Sequence, residues 1–170
     1  MSTSQFILGG ARSGKSQRAV DLAENAGARR VFIATAEAWD DEMGERIARH
    51  KAERGQEWQT IEAPLDLTSA LGEASKDADV CVVDCLTLWL SNLMHHDRDV
   101  ASQTTSLCGA ISQTSVPIIL VSNEVGLGLV PETPLGRAFR DAQGRLNQAV
   151  AKVCDRVEFI AAGLPINLKG

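Results

Sequence analysis

The sequence predicts an α/β fold in which a mostly parallel sheet is flanked by helices, in a single domain over residues 1–170. Strand-like and helix-like segments alternate along the whole chain, which is typical of this class. The strand-like segments are also continuous apolar runs, such as Pro117–Ser122, as expected for strands that are buried on both faces. A chain of 170 residues commonly folds around one core.

In the first part of the chain, Phe6–Leu8 has the apolar content of a first strand. Small apolar residues at helical spacing then predict a helix that ends at Gly27. Arg30–Thr35 is predicted as the second strand. Asp40–Arg54 is polar with a narrow apolar side, which predicts a long surface helix. Trp58–Ile61 is predicted as a short strand.

In the second part, Leu65–Leu71 is predicted as a helix, because Pro64 and Asp66 are residue types that open helices. Residues 95–99 form a polar bridge between two helices, and the tail at 165–169 is too short to assign. The remaining elements, assigned on apolar pattern, are strands at Asp79–Asp84, Pro117–Ser122 and Val157–Ala161 and helices at Leu86–Met94, Val100–Ser112 and Arg137–Val153.

Residues 9–16 match G-x-x-x-x-G-K-S, the phosphate-binding loop of nucleotide-binding enzymes. A predicted strand precedes the match and a predicted helix follows it, as this loop requires. Lys15 would meet the β- and γ-phosphates, and the Ser16 hydroxyl would complete a Mg²⁺ shell. The backbone N–H groups that would surround the phosphates come from Gly9, Gly10, Ala11, Arg12, Ser13 and Gly14. The sequence therefore predicts a nucleoside triphosphate site in a P-loop, RecA-like fold.

Ligands of parallel sheets bind at the carboxyl ends of the strands, so the residues just after each strand are candidates. Besides the phosphate loop, these are Thr35-Ala36-Glu37, Asp84 and the segment that begins at Asn123. Asp84 ends an apolar strand, where P-loop enzymes carry an acid that holds Mg²⁺. Its alternative role is to cap the helix that starts near Leu86.

Residues 123–132 form a long loop with two glycines after a buried strand. Such loops often serve as substrate lids or walls, although a plain connection has the same composition. His50 has two interpretations as well. It lies on a polar helix, where a histidine is commonly a solvated surface residue, but neutral imidazole is also a nucleophile at physiological pH. The pair His95-His96 is interpreted as loop, and the three tryptophans as packing residues.

The composition excludes several classes of function. A net charge of −5 and a pI near 5.2 argue against nucleic-acid binding and against an anionic membrane surface. The four cysteines form no C-x-x-C pair and no zinc pattern with the histidines, so we expect neither disulfides nor a zinc site. Cys81 and Cys85 are predicted as buried free thiols. The chain shows no signal peptide and no membrane-spanning stretch, which predicts a cytoplasmic protein without membrane insertion.

Taken together, these segments resemble the bifunctional adenosylcobinamide kinase/adenosylcobinamide-phosphate guanylyltransferase family of cobalamin biosynthesis. The histidine-lysine segment and the loop NEVGLGLVP make the resemblance specific, and it extends over nearly the whole chain. The matching segments are GGARSGKS at 9–16, FIATAEAWDDEM at 32–43, RIARHKAER at 46–54, DCLTLWLSN at 84–92 and VSNEVGLGLVPETPLGRAFRDAQGRLNQ at 121–148.

The resemblance implies that adenosylcobinamide is phosphorylated by ATP or GTP, and that its phosphate then receives GMP from GTP. It further implies a covalent GMP on the matching residue His50 and a homo-oligomer, by resemblance a trimer. Some relatives carry Glu in place of Asp84. The residues that match the nucleotide contacts of the family are Gly9–Ser16, Ala34, Thr35, Ala36, Lys51, Ala52, Glu53, Arg54, Glu62 and Asp84.

Two other readings of the residues stay open. A small-molecule kinase could use the same phosphate loop without a covalent intermediate. A nucleotide-dependent switch or assembly ATPase is a second alternative, although the chain has no N-K-x-D motif for reading guanine. Turnover that depends on a corrinoid separates the bifunctional enzyme from the switch, and a guanylyl adduct that survives denaturation separates it from the simple kinase.

Overall fold

A seven-stranded sheet organises the part of the chain that the computed structural model describes, residues 3–37, 44–45 and 57–170. The strands are β1 (Ser4–Gly9), β2 (Arg30–Ala34), β3 (Trp58–Glu62), β4 (Val80–Asp84), β5 (Ile118–Asn123), β6 (Arg156–Ala161) and β7 (Leu164–Lys169). The helices are α1 (Lys15–Glu24), α2 (Leu67–Ala74), α3 (Leu86–His95), α4 (Val100–Gln113) and α5 (Pro134–Val153).

The strand order is β3-β2-β4-β5-β1-β6-β7. All neighbouring strands pair in parallel except β6 and β7, which are antiparallel. Because β1 lies between β5 and β6, its last residue Gly9 is in register with Asn123 on one side and Ile160 on the other. The loop that follows β1 is thereby placed in the middle of the carboxyl edge of the sheet.

The core has two parts, one on each face of the sheet, because successive strand residues point to opposite faces. On one face, Phe6 and Trp89 belong to a cluster that α2, α3, α4 and α5 cover. On the other face, Ile7 packs with Ala19 and Ala23 of α1. Both faces of the central strands are therefore buried, which explains why those strands are continuous apolar runs. The edge strand β7 is exposed along its whole length.

The six predicted strands are confirmed, with bounds that differ by one or two residues. Two helix starts were placed wrongly. Helix α2 begins at Leu67 and not at Leu65, with Asp66 at its N-cap. Helix α5 begins at Pro134 and not at Arg137, because Thr133 accepts a hydrogen bond from the Gly136 N–H at 3.1 Å and so caps the helix. The predicted helix at residues 40–54 lies outside the described residues, apart from positions 44 and 45.

The tail forms an edge strand that the sequence analysis did not assign. Strand β7 pairs with β6 through the two-residue turn Ala162-Gly163, whose φ angles are 52° and 78°. A two-residue hairpin turn with positive φ at both positions is usually recognised in a sequence by Asn-Gly. Here alanine replaces asparagine at the first position, so the sequence does not indicate the turn. Pro165 also argues against a strand, but edge strands tolerate proline.

Several side chains lie where the sequence analysis expected them. Trp89 is fully buried and donates from Nε1 to the Leu65 carbonyl, and Trp58 packs edge-on against Phe32. Cys81 and Cys85 are buried, and burial raises the pKa of each thiol to about 11. They therefore behave as small apolar residues. Within the described ranges, every helix is too short or too polar to cross a lipid bilayer.

Candidate nucleotide-binding site

The phosphate-binding loop joins the end of β1 to the start of α1. Gly9 is the last residue of the strand, and Lys15 is the first residue of the helix. Gly14 lies at the N-cap with φ of 96°, a left-handed conformation that glycine adopts without steric cost. The N-terminus of α1 therefore faces the loop, and its N–H groups and dipole favour an anion there.

Two side chains of the loop are arranged to meet phosphate oxygens. Lys15 is only 8% exposed, and its Nζ donates to the Gly10 carbonyl at 2.9 Å. A bound phosphate would offer this ammonium a charged acceptor, which forms a stronger hydrogen bond than a neutral carbonyl does. The Ser13 Oγ is buried and has no hydrogen-bond partner among the described residues. Such orphaned hydroxyls are uncommon, and a phosphate oxygen would satisfy this one.

Two neighbouring segments hold the loop from outside. The Glu124 N–H, just after β5, donates to the Gly9 carbonyl at 3.0 Å. The Gly163 N–H, in the turn of the β6–β7 hairpin, donates to the Ser13 carbonyl at 2.8 Å. These two hydrogen bonds hold the loop backbone without the help of a ligand, as expected of a preformed anion site. No local pattern in the sequence indicates the contribution of Gly163.

Asp84 and Ser16 have the chemistry of a Mg²⁺ site. Asp84 is the last residue of β4 and is half-buried, and Ser16 lies in the first turn of α1. Their oxygen donors suit Mg²⁺, which commonly takes one or two protein ligands and completes its shell with phosphate and water. Among the described residues, no group of three or more His, Cys, Asp or Glu is placed so that it could hold a metal ion. Cys85, and not Asp84, occupies the N-cap of α3.

The segment after β2 is fixed by buried hydrogen bonds. The Thr35 hydroxyl donates to the Cys85 carbonyl at 2.7 Å and accepts from the Cys85 N–H at 2.9 Å. Asn92, on α3, donates from Nδ2 to the carbonyls of Thr35 and Pro64 at 2.7 and 3.0 Å. These bonds tie Ala34, Thr35 and Ala36 to the exit of β4, where Asp84 lies.

A histidine and a carboxylate meet at the rim of this segment. His96 Nε2 lies 3.2 Å from a carboxylate oxygen of Glu37. The prediction that His95-His96 is loop is wrong, because His95 is the last residue of α3 and His96 is its C-cap. The contact joins residues 59 positions apart in sequence, so no local sequence pattern indicates it.

A buried polar network supports the end of β5. The Ser122 hydroxyl and the Gln143 side-chain amide both donate to Asn147 Oδ1, at 2.8 and 2.9 Å. Asn147 in turn donates from Nδ2 to the Asn123 carbonyl at 3.1 Å, and the Asn123 N–H donates to the Thr87 hydroxyl at 2.8 Å. A sequence signal for this network does exist: Gln143 and Asn147 are polar, yet they lie on the otherwise apolar, buried face of α5.

The predicted site residues that the structure describes lie along one edge of the sheet. These are Gly9, Gly10, Ala11, Arg12, Ser13, Gly14, Lys15 and Ser16 after β1, Ala34, Thr35 and Ala36 at the end of β2, Glu62 at the end of β3, and Asp84 at the end of β4. Five predicted residues, His50, Lys51, Ala52, Glu53 and Arg54, lie outside the described residues and stay predictions.

Solved structures with the same arrangement show the fold. A KaiC-like protein from Pyrococcus horikoshii superposes with a TM-score of 0.52 at 15% identity, covering 92% of this chain and 70% of that one. The flagellar accessory protein FlaH from Methanocaldococcus jannaschii gives 0.53 at 14% identity, covering 98% and 78%. The predicted P-loop, RecA-like α/β fold is therefore confirmed.

Closer relatives are found among curated proteins. The bifunctional adenosylcobalamin biosynthesis protein CobP of Pseudomonas aeruginosa is 48% identical over 167 residues, which cover 97% of this chain and 96% of that protein. The protein CobU of Escherichia coli, also named a bifunctional adenosylcobalamin biosynthesis protein, is 33% identical over 179 residues, covering 96% and 98%. Residues 5–168 match the family described as cobinamide kinase / cobinamide phosphate guanyltransferase. The chain belongs to this family.

Proposed function

We propose that this protein catalyses two successive reactions. It phosphorylates the hydroxyl of adenosylcobinamide with ATP or GTP, and it then transfers GMP from GTP to adenosylcobinamide phosphate, giving adenosylcobinamide-GDP. The observation that carries the proposal is a preformed phosphate loop with Lys15 folded across it, in a chain that matches the family over residues 5–168. The relatives named above are called bifunctional, which supports two activities in one chain.

In the kinase reaction, the loop N–H groups and Lys15 bind the triphosphate and hold its γ-phosphorus toward the acceptor. Ser16 and Asp84 would hold Mg²⁺, which neutralises triphosphate charge when it is bound. The hydroxyl oxygen of the acceptor forms a bond to the γ-phosphorus, the bond from that phosphorus to the β-bridging oxygen breaks, and the nucleoside diphosphate leaves. The hydroxyl proton is lost in the same reaction.

In the transferase reaction, the neutral imidazole of His50 attacks the α-phosphorus of GTP and pyrophosphate leaves. A phosphate oxygen of the bound corrinoid then attacks the phosphorus of the histidine-bound GMP. The P–N bond breaks, which returns His50 and forms the new diphosphate linkage. The phosphate loop and Lys15 would stabilise the negative charge of the departing pyrophosphate. By resemblance to the family, Lys51–Arg54 and Glu62 contact the nucleotide. The same resemblance supports a homo-oligomer, which we propose to be a trimer, and the biosynthetic role of the named relatives supports a cytoplasmic location.

The test is to incubate the protein with Mg²⁺ and GTP labelled in turn at the α- and γ-phosphates, without a corrinoid, and then to denature it. We expect the α-label alone to stay on the chain, to be lost in acid and to survive alkali, as a phosphoramidate does. His50→Ala should remove the label. His95→Ala, which changes a histidine at the end of α3, is the matched control and should retain it.

Label that persists in His50→Ala would remove His50 from the role of nucleophile. Label that is absent from the wild type under every condition would make a kinase without a covalent intermediate the better reading. Corrinoid-dependent release of ADP from ATP then decides between a kinase and a nucleotide-dependent switch, because a switch would hydrolyse ATP at the same rate with and without the corrinoid.

A further inference from the structure

The loop between β5 and α5, residues 124–133, exposes large apolar side chains. Leu127 is 83% exposed, Leu129 is 97% exposed and Val130 is 63% exposed. None of the three belongs to either core cluster of the described residues. Single exposed leucines are ordinary, but three within four positions form a patch of the kind that marks a binding surface.

The 124–133 loop is nevertheless held at both of its ends. At its start, the Glu124 N–H donates to the Gly9 carbonyl, and the Glu124 carboxylate accepts from the Gly126 N–H. At its end, Arg137 donates from Nη1 to the carbonyls of Pro131 and Glu132, at 3.0 and 2.7 Å. The apolar side chains are therefore displayed from an anchored loop and not from a loose connection.

The loop also begins at the phosphate site. Glu124 is bonded to Gly9, the first residue of the phosphate loop. Leu127 follows Glu124 by three residues, and three residues of extended chain reach about 10 Å at most. Leu127 is therefore kept close to the start of the phosphate loop. An acceptor that brings its hydroxyl to a phosphate held by this loop needs a neighbouring surface for the rest of its structure.

We propose that the 124–133 loop is the acceptor-binding surface, on which Leu127, Leu129 and Val130 pack against the corrin macrocycle. This inference rests on the proposed function, which supplies a wide corrin ring as the acceptor. Apolar side chains recognise such a ring by excluding water from its faces. Gly128 contributes room, since the space where its side chain would be is open.

The test compares two variants of the full-length protein. The first is the double variant Leu127→Ser, Leu129→Ser, and the control is Leu168→Ser. Leu168 is 58% exposed on β7, next to the residue that pairs with Val157. Val157 lies at the start of β6, so Leu168 is at the amino edge of the sheet, away from the phosphate loop. Exposed substitutions of this kind rarely disturb folding. The readouts are equilibrium dialysis of cobinamide, KM and kcat for phosphorylation, binding of ATP, and mass in solution by light scattering.

The double variant should weaken cobinamide binding and raise its KM by about tenfold or more, while ATP binding and mass stay unchanged. The control should equal the wild type in every readout. If the wild type binds and phosphorylates cobinamide but the double variant does so equally well, the inference is wrong and the proposed function stands. A lowered mass in the double variant would instead make the loop a contact between subunits. Wild-type protein that neither binds nor phosphorylates cobinamide would overturn the proposed function as well.

Discussion

The backbone N–H of Gly163 donates a hydrogen bond to the carbonyl of Ser13 at 2.8 Å, which ties the C-terminal hairpin to the centre of the phosphate loop. Gly163 has φ of 78°, so an L side chain there would be strained. The turn also approaches Gly14 closely, because a side chain on Gly14 would lie 3.3 Å from the Gly163 Cα. An edge hairpin thus takes part in shaping the nucleotide site.

Gly163→Ala should therefore weaken both the fold and the site. The space around Gly163 is open, so the cost is backbone strain alone, about 1–2 kcal/mol. We expect urea denaturation to show this loss, and a fluorescent ATP analogue to bind less tightly. Gly109→Ala is the control, since Gly109 lies within α4 with equally open space, and alanine there should stabilise by about 0.5–1 kcal/mol. Equal effects of the two variants would contradict the role of the turn.

Gly9 and Gly10 are adjacent but should respond differently to alanine. A Cβ on Gly9 would lie 2.5 Å from the Ser13 Oγ and 2.8 Å from the Ile160 carbonyl, whereas nothing lies within 4 Å of a Cβ on Gly10. The Ile160 carbonyl belongs to the sheet and cannot move away cheaply. Gly9→Ala should therefore lower ATP affinity by about tenfold or more, roughly 1.4 kcal/mol, and Gly10→Ala should change it little. Calorimetric titration with ATP decides, and similar affinities would refute the steric argument.

The phosphate loop was predictable from sequence because all of its determinants lie within eight consecutive residues. The buried strands were predictable for a similar reason, since burial on both faces leaves a continuous apolar run in each. The pairing of Gly163 with Ser13 was not, because it joins positions 150 residues apart through backbone atoms that any residue carries. Such contacts are set by strand register and packing, and they leave no residue-type signature.

The same distinction applies within the candidate site. Asp84 was identified because an acid at the end of an apolar run is a local pattern. The contact between Glu37 and His96 depends on how the end of α3 lies beside the segment that follows β2, so neither residue signals it alone. The start of α5 was misplaced even though Thr133-Pro134 is a local cap signal, because the apolar pattern that defines the rest of the helix begins only after it.

Asp79 should confer stability that depends on pH. It accepts hydrogen bonds from the N–H groups of Ala28 and Arg29 and from the Arg29 guanidinium. The guanidinium, followed by the backbone N–H groups, lowers the pKa of Asp79 from about 3.8 to about 2. A carboxylate whose pKa is lowered by folding stabilises the protein above its unfolded pKa, and this contribution disappears as the pH falls through the folded value.

Asp79→Asn should accordingly be less stable than the wild type near pH 7, and the difference should shrink between about pH 4 and pH 2. Urea midpoints measured across that range test the expectation. Asp77→Asn, which removes an equal charge two residues away, should show a smaller difference at neutral pH. If the difference in urea midpoint between Asp79→Asn and the wild type stays constant down to pH 2, the loss of stability comes from hydrogen-bond geometry and not from charge.

Asn147 should be the most sensitive member of the buried network at the end of β5. Its side chain accepts from Ser122 and Gln143 and donates to the Asn123 carbonyl, so removing it takes away three hydrogen bonds of the network, although Gln143 still donates to the Ser122 hydroxyl. Each lost hydrogen bond costs about 0.5–1.5 kcal/mol, so Asn147→Ala should destabilise the protein by about 2 kcal/mol or more. Gln148→Ala, at the next and exposed position, should stay within about 0.5 kcal/mol of the wild type.

Loss of the Asn147 hydrogen bonds should also disturb the nucleotide site. Asn123 is in register with Gly9, and the Glu124 N–H donates a hydrogen bond to the Gly9 carbonyl. We therefore expect Asn147→Ala to bind ATP less tightly at a temperature where it is still fully folded, as judged by circular dichroism. Thermal denaturation and ATP titration of the same samples separate the two effects. If the variant loses stability but binds ATP as the wild type does, the network holds α5 on the sheet without positioning the phosphate loop. Unchanged stability would mean that water replaces the missing side chain.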